Sequence, residues 1–209
     1  MVISHDHYDH LDMSTVVDLA REGTQFFVPL GVGAHLLTWG ILGTQIVELD
    51  WNEQATLGTV TFTATPARHY SGRAVRRDRT QWASWVIKSP AHRVFFSGDT
   101  GYFDGLKDIG AAHGPFDLAL IKIGAYGPTW LEIHMDPEHA VKAQQAVGAK
   151  LMLPVHWGTF NLAFHDWREP PERLLAAAEG VVAVVVPKPG QPVRPEAPPP
   201  VVRWWRDGS

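Results

Sequence analysis

Cysteine is absent from this chain of 209 residues. Disulfides, thiolate-held zinc and a cysteine nucleophile are thereby excluded, and any soft-metal site is left to histidine and carboxylate. An excess of positive charge is missing too. The 18 Lys and Arg stand against 22 Asp and Glu, a formal charge of −4, so there is no general electrostatic footprint for a phosphate backbone and no nucleic-acid partner is expected. No apolar run approaches the roughly 18–20 residues that span a bilayer, and no basic-then-apolar leader is visible near Met1. The expected location is cytoplasmic.

What is present suffices for one substantial core, since 45% of the residues are hydrophobic and the length favours one domain over two. Apolar residues at helical spacing predict a helix over 14–21, capped by Asp12 or Ser14 and ended by Gly23. Strands are expected at 25–29 and 45–49, with a helix at 34–39 between them. Alternation with period two over 58–64, 82–87 and 93–96 predicts three neighbouring antiparallel strands. The arginine-rich stretch 67–80 reads as a surface loop, long enough to suggest function. Helices near 103–111, 136–147 and 171–179 then alternate with strands at 118–123, 151–155 and 181–186. From Pro187 the chain reads PKPGQPVRPEAPPP, too rich in proline for helix or central strand; residues 191–209 are expected to form an extended tail after a domain of residues 1–190.

The stretch MVISHDHYDHLD places His5, Asp6, His7, Asp9 and His10 within six residues. In an extended segment His5 and His7 point the same way, whereas Asp9 and His10 follow where the chain turns toward a helix, so the stretch can offer two ligands to one ion and two to a neighbour. An expression tag would be a plain histidine run without aspartates. Three later residues each stand at or just beyond an apolar strand: His69, Asp99 in SGDTG, and His156. Side chains at the carboxyl ends of strands converge on one crevice in sheets flanked by helices. Taken singly, each could be an ordinary loop or turn residue. Together the five histidines and two aspartates suit two cations of the zinc type, and two Zn²⁺ roughly 3.5–4 Å apart imply hydrolysis.

SHDHYDHLD resembles the HxHxDH motif of the metallo-β-lactamase fold, and His69, Asp99 and His156 follow in the order of that superfamily. The strings FVPLG, VELDW, FFSGDTGYF, HMDPEHAV and HWGTFNLAFHDWREPP extend the resemblance, from residue 3 to about 190, to the branch of N-acyl-phosphatidylethanolamine-hydrolysing phospholipase D and its bacterial relatives. The resemblance implies an α/β fold, an αββα sandwich of two sheets with helices outside. It further implies that His5, His7 and His69 hold one zinc, that Asp9, His10 and His156 hold the other, and that Asp99 bridges them. The implied activity is hydrolysis of a phosphodiester by a hydroxide between two Zn²⁺, with Asp9, Asp99 and His134 as the catalytic candidates. His134 either meets the substrate or is a loop histidine ahead of the helix that Asp136 caps. Asp166 is expected to be a structural hydrogen-bond partner.

Two departures stand out: Lys122 replaces a proline of the family, and Gly127 an acidic residue. Both are expected to reshape the pocket without touching a ligand. A lactonase or other ester hydrolase on the same site, or an inactive metal-binding fragment, are the alternatives. Only Met1 to Ser4 precede His5, less than the 4–8 apolar residues of a delivery strand, so the sandwich is expected to lack N-terminal strands. Trp82 and Trp85 are expected in the core, Trp130 and Trp157 at an aromatic or lipid pocket, and Arg68, Arg73, Arg76, Arg77 and Arg79 in a solvated loop or against an anionic headgroup. Expected partners are a small-molecule or phospholipid substrate, peripheral membrane contact and a second copy in a homodimer.

Overall fold

The computed structural model describes residues 1–73 and 77–207; Arg76 lies outside them. The chain runs α1 (Met13–Arg21), β1 (Phe26–Pro29), α2 (Gly33–Thr38), β2 (Ile46–Leu49), β3 (Gln54–Leu57), β4 (Val60–Thr65), β5 (Ser84–Lys88), β6 (Arg93–Phe96), α3 (Gly105–His113), β7 (Phe116–Lys122), α4 (Pro137–Val147), β8 (Ala149–Val155) and α5 (Glu169–Ala178). β1 and β2 pair in parallel, and Val2 bridges to Phe27 on the far side of β1. The second sheet is six-stranded in sequence order, antiparallel from β3 to β6 and parallel from β6 to β8.

Alternation along β1 explains the layering. Phe26 and Val28 pack with Val16, Leu36 and Ile41 toward α1 and α2, whereas Phe27 turns the other way to meet Ala64 and Trp85 of the larger sheet. The opposite face of that sheet, with Phe95, Ala119, Ile121 and Met152, packs against Ile109 of α3, Val141 of α4 and Leu174 of α5. Helix, sheet, sheet and helix therefore stack as four layers around three apolar clusters. The helix ends follow local chemistry. Asp12 accepts from Thr15 N–H at 2.8 Å to start α1, and Asp136 does so from His139 N–H at 2.8 Å to start α4, with Pro137 in its first turn.

Three expectations change, and one strand is added. Gln54–Leu57 forms a strand, joined to β4 through a turn at Gly58 with φ +59; its four residues, mostly exposed, are too short a run to mark it. Residues 181–186 are not a strand but touch β8 in a single bridge, Met152 to Val184. Val181 and Val182 donate back to Ala178 O, closing the end of α5, so pairing starts late, and Pro187 has no N–H to continue it. The described part of 67–80 is not simply a surface loop: His69, Ser71 and Thr80 are buried, and Ser71 Oγ donates to Thr80 O at 2.5 Å. Finally, the prolines of 187–200 hold no helix or strand, but the chain returns in a 3-10 turn at Trp204–Arg206 that buries Trp205 completely.

Candidate metal centre

The histidine-rich stretch is pinned at both ends by apolar residues. Ile3 is buried against α1 and α2, its N–H donates to Phe27 O at 3.1 Å, and its carbonyl accepts from Trp85 Nε1 at 3.0 Å. At the other end Leu11 is fully buried, and the N–H groups of His10 and Leu11 both donate to His7 O. Residues 5–10 are thus compressed into one turn at the mouth of the two sheets. The loop after β4 reaches the same place because Arg68 N–H donates to Thr100 Oγ1 at 2.8 Å and Gly101 N–H to Arg68 O at 2.9 Å. Gly98 lets the end of β6 close in: it has φ +55, and a Cβ there would lie 2.6 Å from Ser4 Cβ. β8 delivers His156, itself in the left-handed region at φ 62, a conformation that histidine tolerates better than most side chains.

All seven sequence-derived candidates meet here, in two halves. In the first, His5 Nε2 lies 2.8 Å and His69 Nε2 3.3 Å from His7 Nδ1. In the second, Asp9 Oδ2 lies 3.3 Å from His10 Nε2 and 3.2 Å from His156 Nε2. Asp99 Oδ2 stands between the halves, 3.3 Å from both His10 Nε2 and His156 Nε2 and 3.9 Å from His69 Nε2. His134, the even choice on sequence, joins the cluster with its Nε2 at 3.5 Å from the same oxygen. His5, His7 and His69 form one group able to hold a cation, and Asp9, His10, Asp99 and His156 a second.

The electrostatics of the halves differ. Burial lowers the pKa of His5 and His7, and takes His69 down to about 4, so these imidazoles are neutral and their lone pairs converge. Burial works against a charge on His10 as well, but Asp99 and Asp9 outweigh it and raise its pKa to about 9. Asp99 is buried, yet His10, His156 and Lys122 hold its carboxyl well below the usual range. His10 Nε2, Asp99 Oδ1, His134 Nδ1 and His156 Nδ1 are buried with no hydrogen-bond partner among the described residues, which in a native interior calls for an ion or water. Converging imidazole lone pairs on one side and carboxylates drawing positive charge on the other fit borderline divalent cations of the zinc type.

Several supporting residues carry no mark in the sequence. Ser4 Oγ lies 3.0 Å from His5 Nδ1 and 3.3 Å from His10 Nδ1, so one hydroxyl reaches an imidazole of each half. Asp6 is buried and accepts from Gly72 N–H at 2.7 Å, with His35 Nε2 at 3.2 Å. His69 Nδ1 lies 3.2 Å from Ile133 O, which fixes its ring. Lys122 keeps clear of the ligands, as expected, its Nζ donating to Gly124 O at 2.7 Å; its side chain is fully buried and its charge acts on Asp99. Asp166 behaves as expected and accepts from Arg168 N–H at 2.8 Å.

A cavity of about 710 Å³ opens from the second half, lined by Asp9, His10, Asp99 and His156 and by the apolar Phe96, Val155, Trp157, Phe160, Leu162 and Trp167. Trp85 lies in the core; Trp82 is only partly buried and donates to Ala67 O. Trp130 stands beside His134 at a ring separation of 6.4 Å.

The family described as "Beta-lactamase superfamily domain" matches residues 1–157. The chain is 56% identical to the uncharacterised protein Rv0906 of Mycobacterium tuberculosis, over 99% of this chain and 57% of that one. It is 36% identical to N-acyl-phosphatidylethanolamine-hydrolyzing phospholipase D 1 of Caenorhabditis elegans, over 83% of this chain and 52% of that protein. The chain thus spans little more than half the length of these relatives. Among solved structures, Igni18, a metallo hydrolase of Ignicoccus hospitalis, superposes with a TM-score of 0.70 at 26% identity, over 91% of this chain and 76% of the other. With four layers in this order and the histidines and aspartates at the strand ends, the chain belongs to the β-lactamase superfamily and has the metallo-β-lactamase fold.

Proposed function

We propose that the protein is a dinuclear zinc hydrolase that cleaves a phosphodiester, with an N-acyl-phosphatidylethanolamine-like lipid as the substrate class. The observation that carries this is the sharing of Asp99 Oδ2 between the two ligand groups, within 3.3 Å of His10 and His156 and 3.9 Å of His69. His5, His7 and His69 would hold one cation, Asp9, His10 and His156 the other, and Asp99 both. When bound, such a pair supplies a water activated at neutral pH and positive charge for the oxygens of the reacting centre. Asp9 is held well below the usual carboxylate range by His10 and His156 against the opposing effect of burial, so it stays ionised and can accept a hydrogen bond from the attacking water. Burial takes His134 down to about 3. It is therefore neutral at pH 7 and has one N–H to donate to a phosphoryl oxygen.

The apolar walls of the cavity suit acyl chains better than a compact polar substrate. Its rim carries Phe160, Leu162 and Trp167, all exposed, and Phe164 in the same segment is fully exposed; this supports peripheral contact with a lipid surface. Among the described residues no helix is long and apolar enough to cross a membrane. The 36% identity to the nematode phospholipase supports the phosphodiester over other bonds. The test is metal analysis of the chain together with parallel assays on an N-acyl-phosphatidylethanolamine and a lactone. About two zinc per chain and release of the N-acyl amide alcohol are expected, with both lost in Asp99→Asn. Turnover of the lactone alone would refute the phosphodiester.

A further inference from the structure

β7 is apolar along its buried face and ends on a lysine. Lys122 is among the largest fully buried side chains of the molecule, with none of its surface exposed. Lysine is almost never fully buried without a counter-charge, yet among the described residues the polar contact made by its ammonium is a single hydrogen bond, Nζ to Gly124 O at 2.7 Å. The backbone explains where the charge sits. Lys122 N–H donates to Ser97 Oγ at 3.1 Å, two residues before Asp99, and Lys122 pairs across the sheet with Val155, the residue before His156. The ammonium is thus enclosed beneath the two strand ends that present Asp99 and His156. Burial lowers its pKa to about 8 against the pull of Asp99, Asp136 and Asp9, which leaves it protonated at pH 7.

We infer that Lys122 is a fixed positive charge built beneath the carboxylate half of the centre, and that it makes the two cation positions unequal. The position formed by Asp9, His10, Asp99 and His156 binds its divalent cation more weakly than the one formed by His5, His7 and His69. Two carboxylates would otherwise make the second position the more attractive to a divalent cation. The buried ammonium cancels part of their field, and in a low-dielectric interior that repulsion is hardly screened. This rests on the two-cation part of the proposed function and is independent of the substrate.

Zinc and manganese titrations of the apoprotein, read by calorimetry with a competing chelator, test it without any activity assay. Two steps are expected, the first tighter by at least about tenfold; His156→Ala should remove the weaker step and His5→Ala the tighter. Lys122→Met and Lys122→Gln should tighten the weaker step about tenfold or more and leave the tighter within a few fold, while Lys122→Arg keeps the wild-type gap. Glutamine retains an N–H for Gly124 O, and each variant is compared by circular dichroism and melting. Equal affinities in the wild type would overturn the inference whether or not the variants fold, as would an unchanged or weaker second step in a folded Lys122→Gln. A wild type that binds no divalent cation would instead remove the two-cation reading beneath it.

Discussion

The two halves of the centre draw on the same six-residue turn and end up chemically unlike. His5 and His7 meet His69 in a group of imidazoles made neutral by burial, while Asp9 and His10, only a few residues on, meet His156 and Asp99 in a group where carboxylates raise His10 to about 9. Neighbouring positions in one turn can therefore be given opposite electrostatic characters by the strand ends that face them. Asp99 and Ser4 are the residues that belong to both sides: the aspartate through one oxygen within 3.9 Å of both, the serine through one hydroxyl within 3.3 Å of both.

Substitution at the shared carboxylate should erase the distinction. Asp99→Asn is expected to cut hydrolysis by about a thousandfold or more, equivalent to about 4 kcal/mol, and to lower the cation content of both halves, as elemental analysis would register. Loss confined to one cation would show that Asp99 serves one half alone. Next in size is Ser4→Ala, which removes a hydrogen-bond partner of a ligand in each half. Such outer partners are worth about 10–100-fold in metal affinity, and both binding steps should weaken; a change in a single step would assign the hydroxyl to His5 or His10.

A smaller effect should reach the second half by way of the cavity wall. Trp157 follows His156 and packs edge-on against Trp205, ring centroids 5.7 Å apart, with Trp204 at 5.4 Å. Trp205 Nε1 donates to Glu172 at 2.7 Å, and Arg206 and Arg203 pair with the same carboxylate. Trp205→Ala should cost about 3–5 kcal/mol of stability, measurable by denaturant melting, and weaken the His156 step less than tenfold with no change at His5, His7 and His69. The mildest intervention is acid. The Arg206 guanidinium first, then Trp205 and Arg203, depress Glu172 to about 2. Its contribution is complete above the ordinary carboxyl pKa of about 4.3 and disappears as pH falls through about 2. Tryptophan emission should report release of the C-terminal turn in that window, and Glu172→Gln should abolish the acid step.

Much of this was legible residue by residue. The helices start where Asp12 and Asp136 cap them, and period-two alternation located β4 to β6, because capping and amphipathic spacing are local properties. β3 escaped because Gln54–Leu57 is only four residues long and mostly exposed, and owes its strand to the partner Val60–Thr65. The valines of 181–186 suggested a strand that the turn closing α5 largely prevents. Ser4 and Trp205 gave no warning, and Asp6 stood in the cluster without a role of its own, since a serine, an aspartate and a tryptophan acquire their roles from what lies across the fold.

By itself the sequence determined which side chains were available for chemistry: no thiol, a dense run of imidazoles and carboxylates, and three more such residues placed at the ends of apolar strands. Composition and spacing are properties of the chain, and they suffice to point to a metal centre of imidazoles and carboxylates. Tertiary structure alone decided the distances at which those groups meet, which oxygen of Asp99 the halves share, that His134 joins them, and that a lysine with no exposed surface lies beneath. Distances, burial and the sum of neighbouring charges depend on segments far apart in sequence, and only the folded sheets bring those segments within the few ångströms over which such forces act.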